Sequence, residues 1–479
     1  MTSLRSRWIL ITCAVFALAW AIARAAVQSI TIDEATSYNL FASRHLYLAF
    51  NSNNHIINST MMYAFTRVLG LSQFTARLPA LIGAAFYISA AYRLCRLLGA
   101  SLFVQVTVFV CLVFNPFIFD YLVAARGYGL ALGFLMWELV YFAEWYRQGG
   151  PLILACAVSS ACAGMSVSAN FSFAFVNLSA MLAILFSACY QRPKEKVRVL
   201  AACALPGAII VAIVCGYAIS QAYFDQFFYG ARSLADTFRT IIEASLFENR
   251  FTFLKPFVFP LVGVTGLLWL TYVLVSRAKA PIARFGLAVA SIFTLTLAMH
   301  WTAFRLFGLL LPKDRTGIYF VPLFMIAAGA LAAIPPPSRL GRCLRAGFLG
   351  ALAIMAVYFL LCLRLTYFKE WYWEADLNKT YAVLSCLNRE HHVTHVASTW
   401  EYRGPLDFYR LAQRTSMQEI DDQFDPQQTQ VYVVDTFHSP EAMQRRDLKI
   451  FYKSPTTDLV LAASPSLVAA YAAGTCLRL

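Results

Sequence analysis

The chain has 479 residues, of which 59% are hydrophobic and 13% charged, against about 25% charged in an ordinary soluble domain; this excludes a soluble globular protein. The net charge of +14 imitates a nucleic-acid signal. Much of the Lys and Arg sits in short segments between apolar runs, however, which is the positive-inside pattern of a membrane protein, and no nucleic-acid partner is expected.

The first apolar run covers about 8–27, behind Arg5 and Arg7, and matches the ~20 residues that cross a bilayer. Ala23-Arg24-Ala25-Ala26 imitates a cleavage site. The run exceeds the about 7–15 apolar residues of a signal peptide, so it reads as a retained helix. Further runs follow at about 77–98, 101–119, 124–143, 151–168, 170–190, 199–219, 256–276, 284–303, 317–334 and 344–365, giving eleven predicted spans. With the N-terminus inside, the inner connections carry Arg93 and Arg96, Arg147, the run 192–198, Arg277 with Lys279 and Arg284, and Arg339, Arg342 and Arg345. The positive-inside rule is thereby met. The outer side then holds a first loop (about 28–76), a loop at about 220–255 with Asp225, a loop at about 304–316, and the tail from Thr366.

The tail changes character. Val393–Ser398 and Gln430–Val434 read as strands and Leu406–Ala412 as a helix, with breaks at Pro405, Asp425-Pro426 and Ser439-Pro440. The expected fold is therefore a multi-span α-helical membrane protein, 1–365, with a small extracytoplasmic α/β domain, 366–479. No internal repeat is evident. Most of the twelve cysteines lie in apolar runs, whereas Cys386 and Cys476 lie in the tail. These two can form a disulfide in an oxidising compartment, a point that spacing leaves open.

Chemistry is concentrated at the outer ends. The first loop opens with Thr31-Ile32-Asp33-Glu34, a capping-box spacing that makes Glu34 the more structural member and leaves Asp33 as an ionised carboxylate able to serve as a base. His55, in Asn53-Asn54-His55, shares that loop. A lone His is more often a plain polar contact, but this setting suits binding of an anion or a metal. Arg77, Arg126 and Arg315 open the second, fourth and tenth spans. Snorkelling accounts for most such arginines. Three at outer ends suit a phosphate carried on a lipid better. His300 with Trp301 reads as an interfacial anchor, Glu138 as structural, and His391, His392 and His395 as a solvated turn. Asn58-Ser59-Thr60 and Asn378-Lys379-Thr380 match glycosylation acceptors.

Asp33-Glu34 after the first span, Asn54-His55 about twenty residues on, Ala76-Arg77-Leu78-Pro79 and Ala125-Arg126-Gly127-Tyr128 resemble GT-C-type glycosyltransferases. The nearest group is that of the protein O-mannosyltransferases and lipid A aminoarabinose transferases. Asp314-Arg315-Thr316-Gly317 is similar to a later loop of that group, whereas Ile56-Ile57 after His55 departs from its commoner His-Pro-Pro. The resemblance implies a transferase moving a sugar, with inversion, from a polyprenyl-phosphate donor to a glycan, lipid or protein acceptor on the outer face. The short loops and the absence of retention signals favour a bacterial inner membrane, with the site on the periplasmic side, over a eukaryotic endomembrane. Asp33 and Glu34 are the implied catalytic pair, Arg77, Arg126 and Arg315 the donor-phosphate ligands, and Asn54 and His55 contacts to donor, acceptor or metal. Some relatives use a divalent metal ion, for which Asp33, Glu34, His55 and His300 are the candidates. The main rival is a lipid or solute transporter or flippase, which would place its charges in mid-span.

Overall fold

The computed structural model describes residues 4–222, 229–276, 280–422, 425, 427–435, 448–472 and 476. Asp225, Arg277, Lys279, Pro426 and Ser439-Pro440 lie outside the described residues. Each of the eleven apolar runs contains or overlaps a helix: α1 (Leu4–Val27), α4 (Gln73–Leu97), α5 (Leu102–Val113), α7 (Tyr128–Gln148), α8 (Leu152–Ala169), α9 (Ala174–Gln191), α10 (Lys196–Ser220), α12 (Lys255–Val275), α13 (Pro281–Phe307), α14 (Phe320–Ala333) and α15 (Arg339–Leu361). Eight of these are long and apolar enough to cross a membrane; α5 and α14 are shorter apolar helices. The eleventh, α7, carries Glu138, Glu144 and Arg147.

The connections supply the remaining elements. Between α1 and α4 lie the single turn α2 (Ile32–Thr36), a π-helical turn over Ser37–Ala42, and α3 (Ile56–Leu69). α6 (Pro116–Tyr121) starts on an Asn115 cap with proline in its first turn, where a missing N–H costs nothing. α11 (Leu234–Ser245) is the amphipathic segment of the connection at 220–255.

Helix α4 packs on α7, α7 on α8, and α8 on α10. Small residues let the last pair approach closely: a Cβ on Gly164 would lie 2.6 Å from the Gly207 carbonyl oxygen. In a bilayer, where apolar contact with lipid competes with contact between helices, such close packing is a principal source of association.

The tail consists of α16 (Leu377–His391), β1 (Val396–Ser398), α17 (Trp400–Gln413), β2 (Val431–Asp435), β3 (Lys449–Lys453), β4 (Leu459–Ala463) and α18 (Pro465–Ala472). The sheet order is β1-β2-β4-β3; β1 and β2 are parallel and the other pairs antiparallel. The two predicted strands and the helix are present, and α17 begins six residues earlier than predicted, running through Pro405. Cys386 and Cys476 form a disulfide. The tail does not stand apart from the first loop. Ile30, Ala35, Ala42, Met62, Ala76 and Ala125 belong to the same apolar core as Leu377, Tyr381, Leu406 and Val433.

Candidate functional site

Thr31 caps α2: its hydroxyl accepts the Glu34 N–H at 3.3 Å, and the Glu34 carboxylate accepts the Thr31 N–H at 2.9 Å. That carboxylate also accepts Arg77 Nε at 2.8 Å, Arg77 Nη2 at 2.7 Å and the Ala125 N–H at 2.7 Å. Arg77 spends its other N–H groups on the carbonyls of Ala25, Gln28 and Ser29, at 3.1, 2.6 and 2.6 Å. Every donor of the guanidinium is thereby used, and both side chains have 0% exposure. This corrects two expectations. Arg77 has no donor left for a phosphate, and Glu34 is a joint between α1, α2, α4 and the turn before α7 rather than a catalytic group.

Asp33, one residue earlier on α2, faces the other way. It lines a cavity of 570 Å³ together with His55, Arg126, Tyr128, Asn170 and Arg315. Asp33 Oδ2 lies 3.1 Å from Arg315 Nη1. Arg126 is buried, yet it is the opposite of Arg77: its contacts to the Asp33 carbonyl, the Ser37 hydroxyl and Asn53 span 3.2–3.5 Å, and its Nε has no partner. His55 sits at the start of α3, edge-on to Tyr128 at 5.3 Å, with Nε2 unbonded. Burial first, then the charges of Arg126 and Arg315, push its pKa well below the usual histidine value, so the ring is held neutral. Buried polar atoms without partners are uncommon and ask for an explanation; here they share one cavity wall.

Gly127 makes this wall possible. A Cβ there would come within 2.1 Å of the Ala169 carbonyl oxygen and 2.8 Å of His55 Cβ, so only glycine lets Arg126 stand beside His55. Asn54 also lines the cavity, but its amide is spent on the loop: Nδ2 donates to the carbonyls of Tyr47 and Ala49, and Oδ1 accepts the Ser59 hydroxyl. His300 lies at the cavity rather than out at the lipid, with Nε2 2.6 Å from the Tyr319 hydroxyl, which corrects its reading as an interfacial anchor. Trp301 is exposed. Asn58 is fully buried with its amide on the Ala125 carbonyl, so its acceptor motif is closed to a modifying enzyme.

The candidate metal donors do not assemble. Both Glu34 oxygens are committed to Arg77 and backbone N–H groups, and Asp33 faces a guanidinium. Among the described residues, the one group of three His, Cys, Asp or Glu donors within reach of a single ion is Cys386, Glu390 and Cys476, and its cysteines are joined as a disulfide.

Two further residues escaped the sequence reading. Asn170, the first residue of the apolar run at 170–190, caps the turn into α9 with Oδ1 and lines the cavity. Glu370, in the tail, accepts Arg315 Nη1 at 2.9 Å. A groove of 720 Å³, almost wholly apolar, runs between α8, α9 and α10 and shares Ala174 and Ile219 with the cavity.

The fold has solved counterparts. ArnT from Cupriavidus metallidurans bound to undecaprenyl phosphate aligns with a TM-score of 0.55 at 13% identity, covering 96% of this chain and 98% of that one. The same protein in its apo state aligns at 0.53 and 11% identity, covering 97% and 99%. The chain has the GT-C glycosyltransferase fold. No family model matches the sequence, and no curated protein does. At such identity the GT-C fold survives because burial and helix packing tolerate exchange among apolar residues; chemistry has to be argued from the site itself.

Proposed function

We propose that the chain is an integral membrane glycosyltransferase that moves a sugar from a polyprenyl-phosphate carrier to a glycan, lipid or protein acceptor on the extracytoplasmic side, with inversion. One observation carries this reading: a cavity whose wall sets the Asp33 carboxylate beside Arg126 and Arg315 shares Ala174 and Ile219 with an apolar groove between helices. A ligand with a hydrophobic tail, an anionic junction and a hydroxyl-rich head fits that sequence of surfaces. The polyprenyl chain would lie along α8, α9 and α10, and the phosphate at Arg126 and Arg315. ArnT, solved with undecaprenyl phosphate, supports the carrier class.

The chemistry follows from the charges. Asp33 takes the proton of the acceptor hydroxyl as its oxygen attacks the anomeric carbon from the face opposite the phosphate. The sugar–phosphate bond breaks, and the charge that develops on the departing phosphate is met by Arg126 and Arg315. His55, held neutral, and Asn170 offer hydrogen bonds to the sugar or the acceptor.

The test uses the full chain in nanodiscs, supplied with undecaprenyl-phosphate hexoses and pentoses and a membrane extract as acceptor. Transfer should release undecaprenyl phosphate. Asp33→Asn should lower the rate about 10²-fold or more while undecaprenyl phosphate still binds. Unimpaired transfer by Asp33→Asn removes Asp33 from the role of base. Absence of transfer with every donor, together with absence of carrier binding, overturns the function.

A further inference from the structure

Arg315 stands between two carboxylates. Its Nη1 is 3.1 Å from Asp33 Oδ2 on the cavity side and donates to Glu370 Oε1 at 2.9 Å on the other. Glu370 does not line the cavity. Its second oxygen accepts the hydroxyl of Tyr121, which is fully buried. The other charged or titratable groups around this cluster include Arg126, His55 and Tyr128, which line the same cavity, Asp314, on the same turn as Arg315, and Tyr229. The Tyr229 ring lies 5.4 Å from Arg315 Cζ, and its hydroxyl donates to Asp314 at 2.7 Å. Lys369, next to Glu370, turns away to the carbonyls of Glu243 and Leu246 at the end of α11.

A phosphate arriving in the cavity therefore meets a guanidinium already engaged. Arginine binds phosphate best with two parallel donors, and the Nη1–Nη2 edge of Arg315 becomes such a fork only when Nη1 leaves its carboxylates. Glu370 is anchored by a buried phenol, so the long Arg315 side chain is the mobile partner. Once Arg315 moves, Glu370 stays behind it as a fixed like charge, which opposes the bound phosphate.

We propose that Glu370 is a positioning residue that competes with the carrier phosphate for Arg315, holding the guanidinium when no carrier is bound and reclaiming it after transfer. The inference rests on the transferase reading and adds to it a residue behind the cavity wall. It gives the site a means of release: a carrier phosphate held by uncontested arginines would leave slowly, and release limits turnover in many enzymes.

The experiment measures undecaprenyl phosphate binding to the full chain in nanodiscs, with the melting temperature as a check of folding. Glu370→Gln keeps the shape and removes the charge. It should bind undecaprenyl phosphate about tenfold more tightly than wild type, with a lower kcat and stronger inhibition by added undecaprenyl phosphate. Glu370→Asp, which keeps the charge, should stay near wild-type affinity. Weaker or unchanged binding by Glu370→Gln overturns the competitor role and leaves the transferase reading standing. Wild-type protein that fails to bind undecaprenyl phosphate overturns both.

Discussion

Arg77 and Arg126 lie at comparable depth and differ in how many of their donors are already committed. Arg77 is saturated by Glu34 and three carbonyls; Arg126 holds long contacts and an unbonded Nε. Removing one partner of a buried ion pair leaves the other charge uncompensated, which costs about 3–5 kcal/mol. Arg77→Gln should therefore lower the melting temperature sharply or abolish the monodisperse peak on gel filtration. Arg126→Gln should leave the fold intact and weaken undecaprenyl phosphate binding about tenfold or more, the loss of a charge-assisted pair. If both variants unfold alike, Arg126 is structural too. From sequence the two arginines look the same, because each opens a helix after a small residue; only the positions of the surrounding carbonyls separate them.

At the scale of elements, α2 is a single turn, too short to persist on its own propensity. The tail holds it. The Ile32 N–H donates to both oxygens of Glu374 at 3.0 and 3.1 Å, the Ile30 N–H to the Tyr409 hydroxyl at 2.9 Å, and Asn39 Nδ2 to the Gly404 carbonyl at 2.9 Å. Asp33 thus owes its position to residues more than 300 places away in the chain. Glu374→Ala strands a buried N–H, a loss of about 1–3 kcal/mol, and frees the turn that carries Asp33. The expected result is a lower kcat with nearly unchanged undecaprenyl phosphate affinity, because Arg126 and Arg315 stand on other elements. Equal losses in both would place Glu374 in carrier binding instead. The capping box was legible in Thr31-x-x-Glu34, as local spacing; the clamp was not, because nothing near Ile32 reveals its partners. Strands β3 and β4 were missed for a related reason. Lys449–Lys453 is a largely exposed edge and Leu459–Ala463 a short apolar run ending in alanines; β4 becomes a strand by pairing with β2, and β3 by pairing with β4.

Across the whole molecule, the tail and the first loop share one core, and the Cys386–Cys476 disulfide closes a loop of 90 residues around all four strands of the sheet. Removing a native disulfide from a small domain typically costs about 2–5 kcal/mol. Cys386→Ser with Cys476→Ser should make the tail sensitive to limited proteolysis at temperatures that leave the membrane helices intact. Transfer should be lost together with the tail, since α2 loses its support. Activity that survives tail cleavage would contradict this coupling.

Sequence alone determined the membrane class, the order of the apolar helices, the place of Asp33, His55, Arg126 and Arg315 in or beside the connections between them, and the capping box, because these follow from composition, periodicity and spacing along the chain. Tertiary structure decided which of these residues share a cavity, that Glu34 and Arg77 satisfy each other, that Asn170 lines the cavity and Glu370 pairs with Arg315, and that the tail fixes α2. Those outcomes depend on which donors and acceptors meet across long sequence separations, and a linear pattern of residue types does not contain that pairing.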